Sequence, residues 1–279
     1  MFDIVTKRML NDSTALLEIK APDIAGKVEP GQFVILRIDQ KGERIPLTVA
    51  DFDVRKQTVT VIVQMIGYTT IALGNLNAGD AIAGFTGPLG KPSELGGYLN
   101  AAIIGGGVGC AIAYPQAKYL FNRGTNVDIV AGFRNKELVI LEEEMARVCS
   151  NLYITTDDGS YAEKGFVTQK LQALIDTGNK YDLVLAIGPV VMMRAVSEVT
   201  RPYGLNTVVS LNPIMIDGTG MCGCCRVTVG NKTKFACVDG PDFNAHEVDF
   251  SQLIKRNSAY KKQESEWFEH ACRIYGRDE

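Results

Sequence analysis

The chain has 279 residues, of which 46% are hydrophobic and 22% are charged, and its formal net charge is −3. This composition is typical of a globular protein with enough chain for two or three domains. There is no run rich in lysine and arginine, which argues against nucleic acid or an anionic membrane as a partner. The longest apolar run, LVLAIGPVVMM, is too short to span a bilayer, and the N-terminus lacks the apolar core of a signal peptide. We therefore expect a cytoplasmic protein.

Residues 1–97 are predicted to form a β barrel. The segments GQFVILRID, QTVTVIVQMIG and DAIAGFTG are short, rich in Val, Ile, Thr and Phe, and bounded by Gly, Asp or Pro. This spacing of short strands is typical of a small antiparallel barrel.

Residues 98–211 show a different pattern, in which apolar strands alternate with helix-like segments. The strands are AAIIGGG, NVDIVAG, NLYITTDD, YDLVLAIGP and NTVVSLN. The helix-like segments are YPQAKYLFNRG, KELVILEEEMARVC, EKGFVTQKLQALIDTG and VMMRAVSEVTRPYG. This alternation predicts an α/β domain, a parallel sheet with helices on both faces. Gly124 and Gly178 are suited to end two of the helices.

A glycine-rich turn follows the first strand of this sheet and precedes a helix. Its glycines are Gly105, Gly106, Gly107 and Gly109. Such a turn lets the backbone approach a pyrophosphate at a helix N-terminus. The dinucleotide fingerprint is met only in part, because Cys110 holds its last position and Asp128 lies inside the second strand. A tight strand–helix turn without a ligand is the alternative.

Three loops of the barrel half offer groups that suit a flavin. ERIPLTVAD contains the Thr48 hydroxyl and the Arg44 cation, and IGYTTIALGNLNAGD offers Gly67, Thr69 and Thr70. The third, GPLG, is a turn at residues 87–90. Taken singly, each is an ordinary barrel loop. Taken together, ahead of a nucleotide-type sheet, they indicate a flavin at the junction of barrel and sheet.

Residues 212–250 concentrate the sulfur of the chain. Four of the seven cysteines lie in DGTGMCGCCRVTVGNKTKFACVDG, and an odd count in a reducing compartment favours metal ligands over disulfides. Four residues separate Asp217 from Cys222, two separate Cys222 from Cys225, and eleven separate Cys225 from Cys237. Plant-type ferredoxins have the spacing C-x4-C-x2-C, so this is that pattern with aspartate in the first position. Cys224 falls out of register and is interpreted as a spare thiol.

A structural zinc is the main alternative at this segment. Zinc accepts thiolate and carboxylate ligands, but structural zinc sites favour all-cysteine or cysteine–histidine sets. A protein of another class, a zinc-stapled nucleotide-binding module, would carry such a site. The chain has only two histidines, which leaves little histidine for acid–base catalysis and agrees better with redox chemistry on a bound cofactor.

These motifs, in this order, resemble the FAD- and [2Fe–2S]-containing electron-transfer subunits grouped with that of dihydroorotate dehydrogenase, in the wider ferredoxin–NADP reductase family. The resemblance covers nearly the whole chain and is strongest in DGTGMCGCCRVTVGNKTKFACVDGP. The dihydroorotate dehydrogenase subunit has cysteine where this chain has Asp217. The aspartate resembles instead the small subunits of NADH-dependent reduced ferredoxin:NADP oxidoreductases. The dihydroorotate dehydrogenase subunit remains the nearer alternative.

The resemblance implies roles for individual residues. It assigns the cluster to Asp217, Cys222, Cys225 and Cys237. It assigns FAD to Pro46, Leu47 and Thr48, to Gly67, Thr69 and Thr70, and to Arg44, which lies one residue further from Thr48 than the family motif has it. For NAD(H) it implies the turn Gly105–Gly109 and, in the AIGP segment, Gly188 and Pro189.

The resemblance also implies an activity and a partner. In this family the small subunit passes electrons between NAD(H), FAD and the [2Fe–2S] cluster. A larger subunit, with its own FAD and [4Fe–4S] clusters, handles NADP(H) and ferredoxin, and together the two subunits bifurcate electrons. The flavin would take hydride from NADH and give single electrons to the cluster.

Three features stay open at this level. Arg134 and Lys136 would favour NADP(H) if they held a 2′-phosphate, or they are solvated surface charges, and Asp157 and Asp158 either contact a ribose or cap a loop. The tail, residues 251–279 with Trp267, either docks a larger subunit or packs back on the barrel.

Exchange of Asp217 for cysteine is expected to keep a cluster but to shift its reduction potential. The reason is that a thiolate in place of a carboxylate changes the ligand field and the charge around the iron. A spectroelectrochemical titration of both proteins measures the shift, and equal potentials would contradict a tuning role for Asp217.

Overall fold

The computed structural model describes residues 1–260 and residue 263, and its first half is an antiparallel sheet of seven strands. The strands are β1 (Phe2–Asn11), β2 (Thr14–Lys20), β3 (Phe33–Arg37), β4 (Ile45–Asp53), β5 (Thr58–Gln64), β6 (Ala81–Ile82) and β7 (Gly84–Leu89). They lie in the order β6-β1-β2-β5-β4-β3-β7, and all neighbouring pairs are antiparallel.

This sheet curls into a nearly closed barrel. Strands β6 and β7 lie at opposite edges of the sheet, yet only Ala83 separates them in sequence. The two edges must therefore meet. Apolar side chains such as Leu17, Val34 and Val61 fill the interior, and the short helices are α1 (Pro22–Ala25) and α2 (Tyr68–Asn75). The predicted barrel is confirmed, although the sequence picked out only β3, β5 and the β6–β7 segment.

The second sheet has the alternating strand–helix connectivity that the sequence predicts. Its strands are β8 (Asn100–Gly106), β9 (Asn126–Phe133), β10 (Asn151–Thr156), β11 (Glu163–Lys164), β12 (Leu183–Ile187), β13 (Thr207–Ser210) and, from the cysteine-rich segment, β16 (Asp242–Asn244). They lie in the order β11-β10-β9-β8-β12-β13-β16. All neighbouring pairs are parallel except β13 and β16, which adds an antiparallel edge.

Helices cover both faces of this sheet. They are α3 (Gly109–Asn122), α4 (Glu142–Ala146), α5 (Val167–Asp176) and α6 (Val190–Thr200). Along β8, Ala101 and Ile103 pack in the core that contains α3, whereas Ala102 and Ile104 pack in the core that contains α5 and α6. Successive strand residues point to opposite faces, so a strand covered on both faces is apolar throughout.

The predicted helix in KELVILEEEMARVC is mostly wrong. Only a 3₁₀ turn at Lys136–Leu138 and the five-residue α4 form there. Between them, Ile140 and Leu141 are buried in the core on the α3 side, and Leu141 has a left-handed backbone with φ of 56°. Burying these two side chains in the core takes precedence over helix propensity.

The cysteine-rich segment is a small unit that packs on both larger ones. It contains β14 (Arg226–Val229), β15 (Lys232–Phe235), α7 (Ala236–Asp239), β16 and α8 (Phe250–Asn257). Helix α8 begins at Phe250, the last residue of the predicted cluster module, and continues into the predicted tail, whereas Trp267 lies outside the described residues.

Ion pairs join the barrel to the parallel sheet. Lys118 Nζ on α3 lies 2.7 Å from Asp51 Oδ2 on β4, and Arg8 Nη2 on β1 lies 2.6 Å from Glu144 Oε1 on α4. In the part of the chain that the structure describes, every helix is too short or too polar to cross a membrane.

A buried hydrogen bond in the parallel sheet gives a test of this packing. Tyr181 Oη donates to Asp128 Oδ2 at 2.7 Å, and both residues are buried. Tyr181→Phe leaves that carboxylate oxygen without the phenol and is expected to cost about 1–3 kcal/mol, seen as a lower midpoint of thermal unfolding. The control is Tyr203→Phe, which removes an exposed phenol that also bonds an aspartate. Equal midpoints for the two variants would contradict the expectation.

Candidate functional site

A cavity of about 1010 Å³ lies between the barrel and the carboxyl ends of the parallel strands. Strand order reverses at β8, since the chain passes from β8 to β9 on one side and later returns to β12 on the other. In open α/β sheets, ligands bind outside the carboxyl ends of the strands at such a reversal. The position of the cavity is therefore the one that the topology favours.

Strand β4 forms much of the barrel wall of this cavity. Pro46, Leu47 and Thr48, which the resemblance assigns to FAD, all line it, and so does Thr70 at the start of α2. No described residue makes a hydrogen bond with the Thr48 side chain, so its hydroxyl is available to a ligand. Apolar side chains of β5, Ile62 and Val63, complete this wall.

The other predicted flavin residues lie outside the cavity lining. The Thr69 hydroxyl donates to the carboxylate of Glu43, and Gly67 caps α2, where its N–H donates to Thr70 Oγ1 at 2.9 Å. Arg44 acts on the cysteine-rich segment, because its positive charge contributes to lowering the pKa of Asp217 after the larger effect of the hydrogen bonds from Thr219. Arg44 is thus absent from the cavity lining, and its charge acts on Asp217, one of the predicted cluster ligands.

Three of the four glycines of the turn after β8 line the cavity, Gly106, Gly107 and Gly109, whereas Gly105 is not part of the lining. A methyl group on Gly109 would stand 2.4 Å from the backbone oxygen of Ile187, so only glycine fits. Gly107 has a φ of 55°, in the left-handed region, and its α-carbon faces open space. Helix α3 starts at Gly109, so its first N–H groups and its positive dipole end lie beside the cavity. The turn therefore fits a pyrophosphate.

The loops after β9 and β10 separate the alternatives that the sequence left open. Arg134 and Asp157 line the cavity. Lys136 instead places its ammonium group over the ring of Tyr161, at 5.6 Å from the centroid. Asp158 caps its own loop, because its Oδ1 accepts from the backbone and hydroxyl of Ser160 at 2.9 and 2.7 Å.

On the other side of β8, the predicted Gly188 and Pro189 line the cavity at the start of α6. Sequence reasoning missed the residues next to them, at the end of β13: Ser210, Leu211, Asn212 and Pro213. It also missed Phe166 and Thr168 at the start of α5. The rule that ligands bind at carboxyl ends of strands would have found Ser210, since NTVVSLN was recognised as a strand.

The cysteine-rich loop brings two of its four predicted ligands into contact. Cys225 Sγ and Cys237 Sγ lie 3.1 Å apart, and both residues are buried. Burial, followed by the hydrogen bond with Cys225, raises the pKa of Cys237 to about 12. Cys222 is exposed, and backbone N–H groups of Cys224 and Asp217 lower its pKa.

The backbone around these sulfurs suits an iron–sulfur cluster. Gly218, Gly220 and Gly223 have φ of 81°, 85° and 68°, so the chain wraps in a way that side chains disfavour. Backbone N–H groups of Asp217 and Cys224 face the Cys222 sulfur, and that of Gly220 faces the Cys237 sulfur. Among the described residues, no three histidine, cysteine or acidic side chains are already gathered as metal ligands. The donor set and the N–H groups fit a cluster, while Asp217 still bonds Thr219.

Models of two known families match the chain. Residues 212–249 match the iron–sulfur cluster binding domain of dihydroorotate dehydrogenase B. Residues 103–198 match the oxidoreductase NAD-binding domain. The first match favours a cluster over the zinc alternative, and the second covers the glycine turn.

Relatives cover nearly the whole chain. A protein of Clostridium beijerinckii, described as an uncharacterized protein in the adh 3′ region, is 47% identical over 95% of this chain and 92% of its own. The Thermotoga maritima homolog of the dihydroorotate dehydrogenase B (NAD(+)) electron transfer subunit is 43% identical over 99% and 98%. The electron transfer subunit of Geobacillus thermodenitrificans is 35% identical over 88% and 96%.

Solved structures with the same fold support this relationship. A chain from the structure of the NADH-dependent reduced ferredoxin-NADP oxidoreductase, reported for flavin-based electron bifurcation, is 42% identical and superposes with a TM-score of 0.92 over 97% of both chains. The ferredoxin reductase of carbazole 1,9a-dioxygenase is only 19% identical, with a TM-score of 0.60 over 73% of this chain and 64% of its own. That likeness shows the fold alone.

Removal of the Thr48 hydroxyl tests the predicted flavin wall. Thr48→Val keeps the shape of the side chain and is expected to weaken FAD binding about threefold to tenfold, because one hydrogen bond contributes about 0.5–1.5 kcal/mol. FAD binding to the apoprotein, followed by flavin fluorescence, measures the effect. Thr6→Val on β1, outside the cavity lining, is the matched control. Equal affinities for the two variants would remove Thr48 from the flavin site.

Proposed function

Because the chain belongs to the family of dihydroorotate dehydrogenase B electron-transfer subunits, we propose that it is the NAD(H)-oxidising subunit of a ferredoxin-dependent, electron-bifurcating transhydrogenase. It is an oxidoreductase that uses NAD(H), FAD and an iron–sulfur cluster. The single observation that carries the proposal is the cavity, into which the flavin wall of the barrel and the glycine turn of the NAD-binding sheet both face.

The chain's own part in NAD(H) binding is to supply backbone rather than side-chain donors. Gly107 faces open space and leaves room for a pyrophosphate, and the N-terminus of α3 offsets its charge. Gly188 and Pro189 stand across β8 from Arg134 and Asp157. A dinucleotide whose pyrophosphate lies on the turn therefore extends in two directions. One of its nucleotides reaches Gly188 and Pro189, and the other reaches Arg134 and Asp157.

FAD, when bound, supplies the conversion of a two-electron hydride into single electrons. Pro46, Leu47 and Thr48 would hold it against the barrel. The walls from Ile62, Val63 and Leu211 are apolar and keep water from the reacting face. With titratable side chains scarce in the lining, the protein's contribution is binding, orientation and exclusion of water.

Asp217, Cys222, Cys225 and Cys237 would hold a [2Fe–2S] cluster, which supplies one-electron transfer. Their unit packs against the barrel, since a methyl group on Gly218 would meet the Ile35 and Leu89 side chains at 3.0–3.1 Å. The backbone N–H of Lys91 also donates to the oxygen of Gly240 at 2.7 Å. The segment that carries the cluster is thereby fixed to the same barrel that forms the flavin wall.

The partner that we propose is a larger subunit with its own FAD and [4Fe–4S] clusters, which exchanges electrons with NADP(H) and ferredoxin. Support comes from the relatives named as electron transfer subunits and from the solved bifurcating oxidoreductase. We also propose that the complex works in the cytoplasm. None of the six cysteines among the described residues forms a disulfide, which agrees with a reducing compartment.

A second candidate is the electron-transfer subunit of a dihydroorotate dehydrogenase. The observation in its favour is the match of residues 212–249 to the cluster domain of that enzyme. The aspartate at position 217 favours the transhydrogenase, as the resemblance of the sequence implies. Copurification with the larger subunit, and assay of that complex with NADP⁺ and ferredoxin or with dihydroorotate, separates the two.

The first experiment is an anaerobic visible spectrum of the purified chain, oxidised and after NADH, with iron and acid-labile sulfide assays. We expect flavin bands, about two irons and two sulfides per chain as in a [2Fe–2S] cluster, and bleaching by NADH. Cys222→Ser is expected to lose the cluster signal, whereas Cys224→Ser keeps it. A colourless chain that binds zinc and stays colourless after reconstitution with flavin, iron and sulfide would overturn the proposal.

A further inference from the structure

A buried carboxyl group lies directly behind the cavity wall. Asp242 on β16 pairs with Ser210 on β13, so both side chains project from the same face of the sheet. Ser210 lines the cavity. The hydroxyl of Ser93, from the segment that links the barrel to the sheet, donates to Asp242 Oδ2 at 2.5 Å. Asp242 thus stands one residue removed from the cavity, at the junction of all three units.

Polar atoms around Asp242 are left without partners. Among the described residues, none makes a hydrogen bond with Asp242 Oδ1 or with Oε1 of Gln116, although both atoms are buried. Gln116 on α3 is fully buried, and its Nε2 lies 3.4 Å from the Ser93 hydroxyl. A buried acceptor without a donor is costly, and a proton on the carboxyl group turns one acceptor into a donor.

No charge balances Asp242 in this setting. Ser93 from the linker and Ser210 from β13 bond the carboxyl group, Gln116 from α3 bonds Ser93, and none of these side chains is charged. Burial raises the pKa of Asp242, and the hydrogen bonds from Ser93 and Ser210 oppose this effect without cancelling it. The group is therefore suited to take up and release a proton at a higher pH than an exposed aspartate does.

The chemistry of the site requires a place for one proton. NADH is oxidised to NAD⁺ with loss of one proton and two electrons, and an iron–sulfur cluster accepts only the electrons. The titratable side chains of the cavity lining are Arg134 and Asp157, at the ends of β9 and β10. Those strands lie on the opposite side of β8 from β13. On the β13 side, the carboxyl group of Asp242 lies beside Ser210, which is itself part of the cavity lining.

We propose that Asp242, acting through the hydroxyl of Ser210, takes the proton released for each NADH oxidised and then gives it to solvent, while the two electrons leave through the cluster. This inference rests on the proposed function and adds to it a route for the proton. When electrons flow in the opposite direction, the same carboxyl group returns the proton. Asp242 does not touch the substrate itself, so it is a positioning residue for proton transfer.

The test uses the holoprotein and the variant Asp242→Asn, which has nearly the same shape but cannot take up the proton. Asp249→Asn is the control. Asp249 caps α8 in the same unit, with its Oδ1 accepting from Gln252 N at 2.9 Å, and asparagine caps a helix equally well. If Asp242→Asn loses its cofactors or does not fold, Ser210→Ala takes its place.

The first measurement is the infrared difference spectrum between the reduced and oxidised protein, with dithionite as reductant. We expect a carbonyl band of a protonated carboxyl group that shifts in heavy water, is absent from Asp242→Asn and persists in Asp249→Asn. The same band in all three proteins would overturn the inference. Reduction by dithionite drives the proposed step in reverse, because the flavin then takes up the proton that its oxidation releases, so this result does not require NADH to be the donor.

The second measurement is stopped-flow reduction by NADH. In Asp242→Asn, bleaching of the flavin is expected to keep its rate, while reduction of the cluster slows about a hundredfold, the lower end of what a positioned proton-transfer group contributes. The wild-type rate of cluster reduction should rise with pH as Asp242 ionises, and the variant rate should not. If the wild type and Asp242→Asn had equal rates and pH profiles of cluster reduction, the inference would be overturned but the proposed function would stand. A wild-type protein that NADH does not bleach would overturn the proposed function.

Discussion

The contact between Gly109 and the backbone oxygen of Ile187 is the constraint on which the site depends. A methyl group there would stand 2.4 Å from that oxygen, so the start of α3 lies against the end of β12 only because the residue is glycine. The β12–α6 turn approaches the β8–α3 turn closely as well, since a methyl group on Gly188 would be 3.0 Å from the backbone oxygen of Gly106. Close approach of these two turns at the reversal of strand order leaves the cavity beside them, facing the barrel. A wider separation would move the helix N-terminus away from the ligand crevice.

Two kinds of interaction hold the barrel over that cavity: ion pairs with the parallel-sheet domain, and a hydrophobic core to which both contribute. Lys118–Asp51 and Arg8–Glu144 bridge barrel and sheet on one side. On the other side, Phe33 of β3 belongs to the same hydrophobic core as Cys225 and Cys237. The partly exposed ion pairs contribute little each, so the continuous apolar contact carries most of the stability. The cysteine unit is consequently part of the barrel–sheet interface, because Cys225 and Cys237 pack in the same core as Phe33 of the barrel.

The parts of this arrangement that the sequence reveals are those set by local pattern. Alternating apolar strands and the glycine turn predict the parallel sheet, and the spacing of Asp217, Cys222 and Cys225 predicts a cluster. The sequence does not reveal what depends on contacts distant along the chain. Strand β16 returns antiparallel to β13, which places Asp242 beside Ser210. Arg44 is grouped with the flavin residues by its neighbours in sequence, and only the structure shows that its charge also acts on Asp217, far along the chain. Helix propensity in KELVILEEEMARVC is overridden by burial of Ile140 and Leu141.

The two kinds of electron transfer in this chain place opposite demands on exposure, and the structure separates them. Hydride transfer needs a site from which water is excluded, and apolar side chains dominate the barrel side of the cavity. Transfer of single electrons to another protein needs a carrier near the surface, because the rate falls steeply with distance. Cys222 is exposed, and its neighbour Met221 is 87% exposed, whereas Cys225 and Cys237 are buried against the barrel. The cysteine loop thus has one side buried against the barrel and one side exposed to solvent, which is the arrangement that the proposed exchange of electrons with a partner requires.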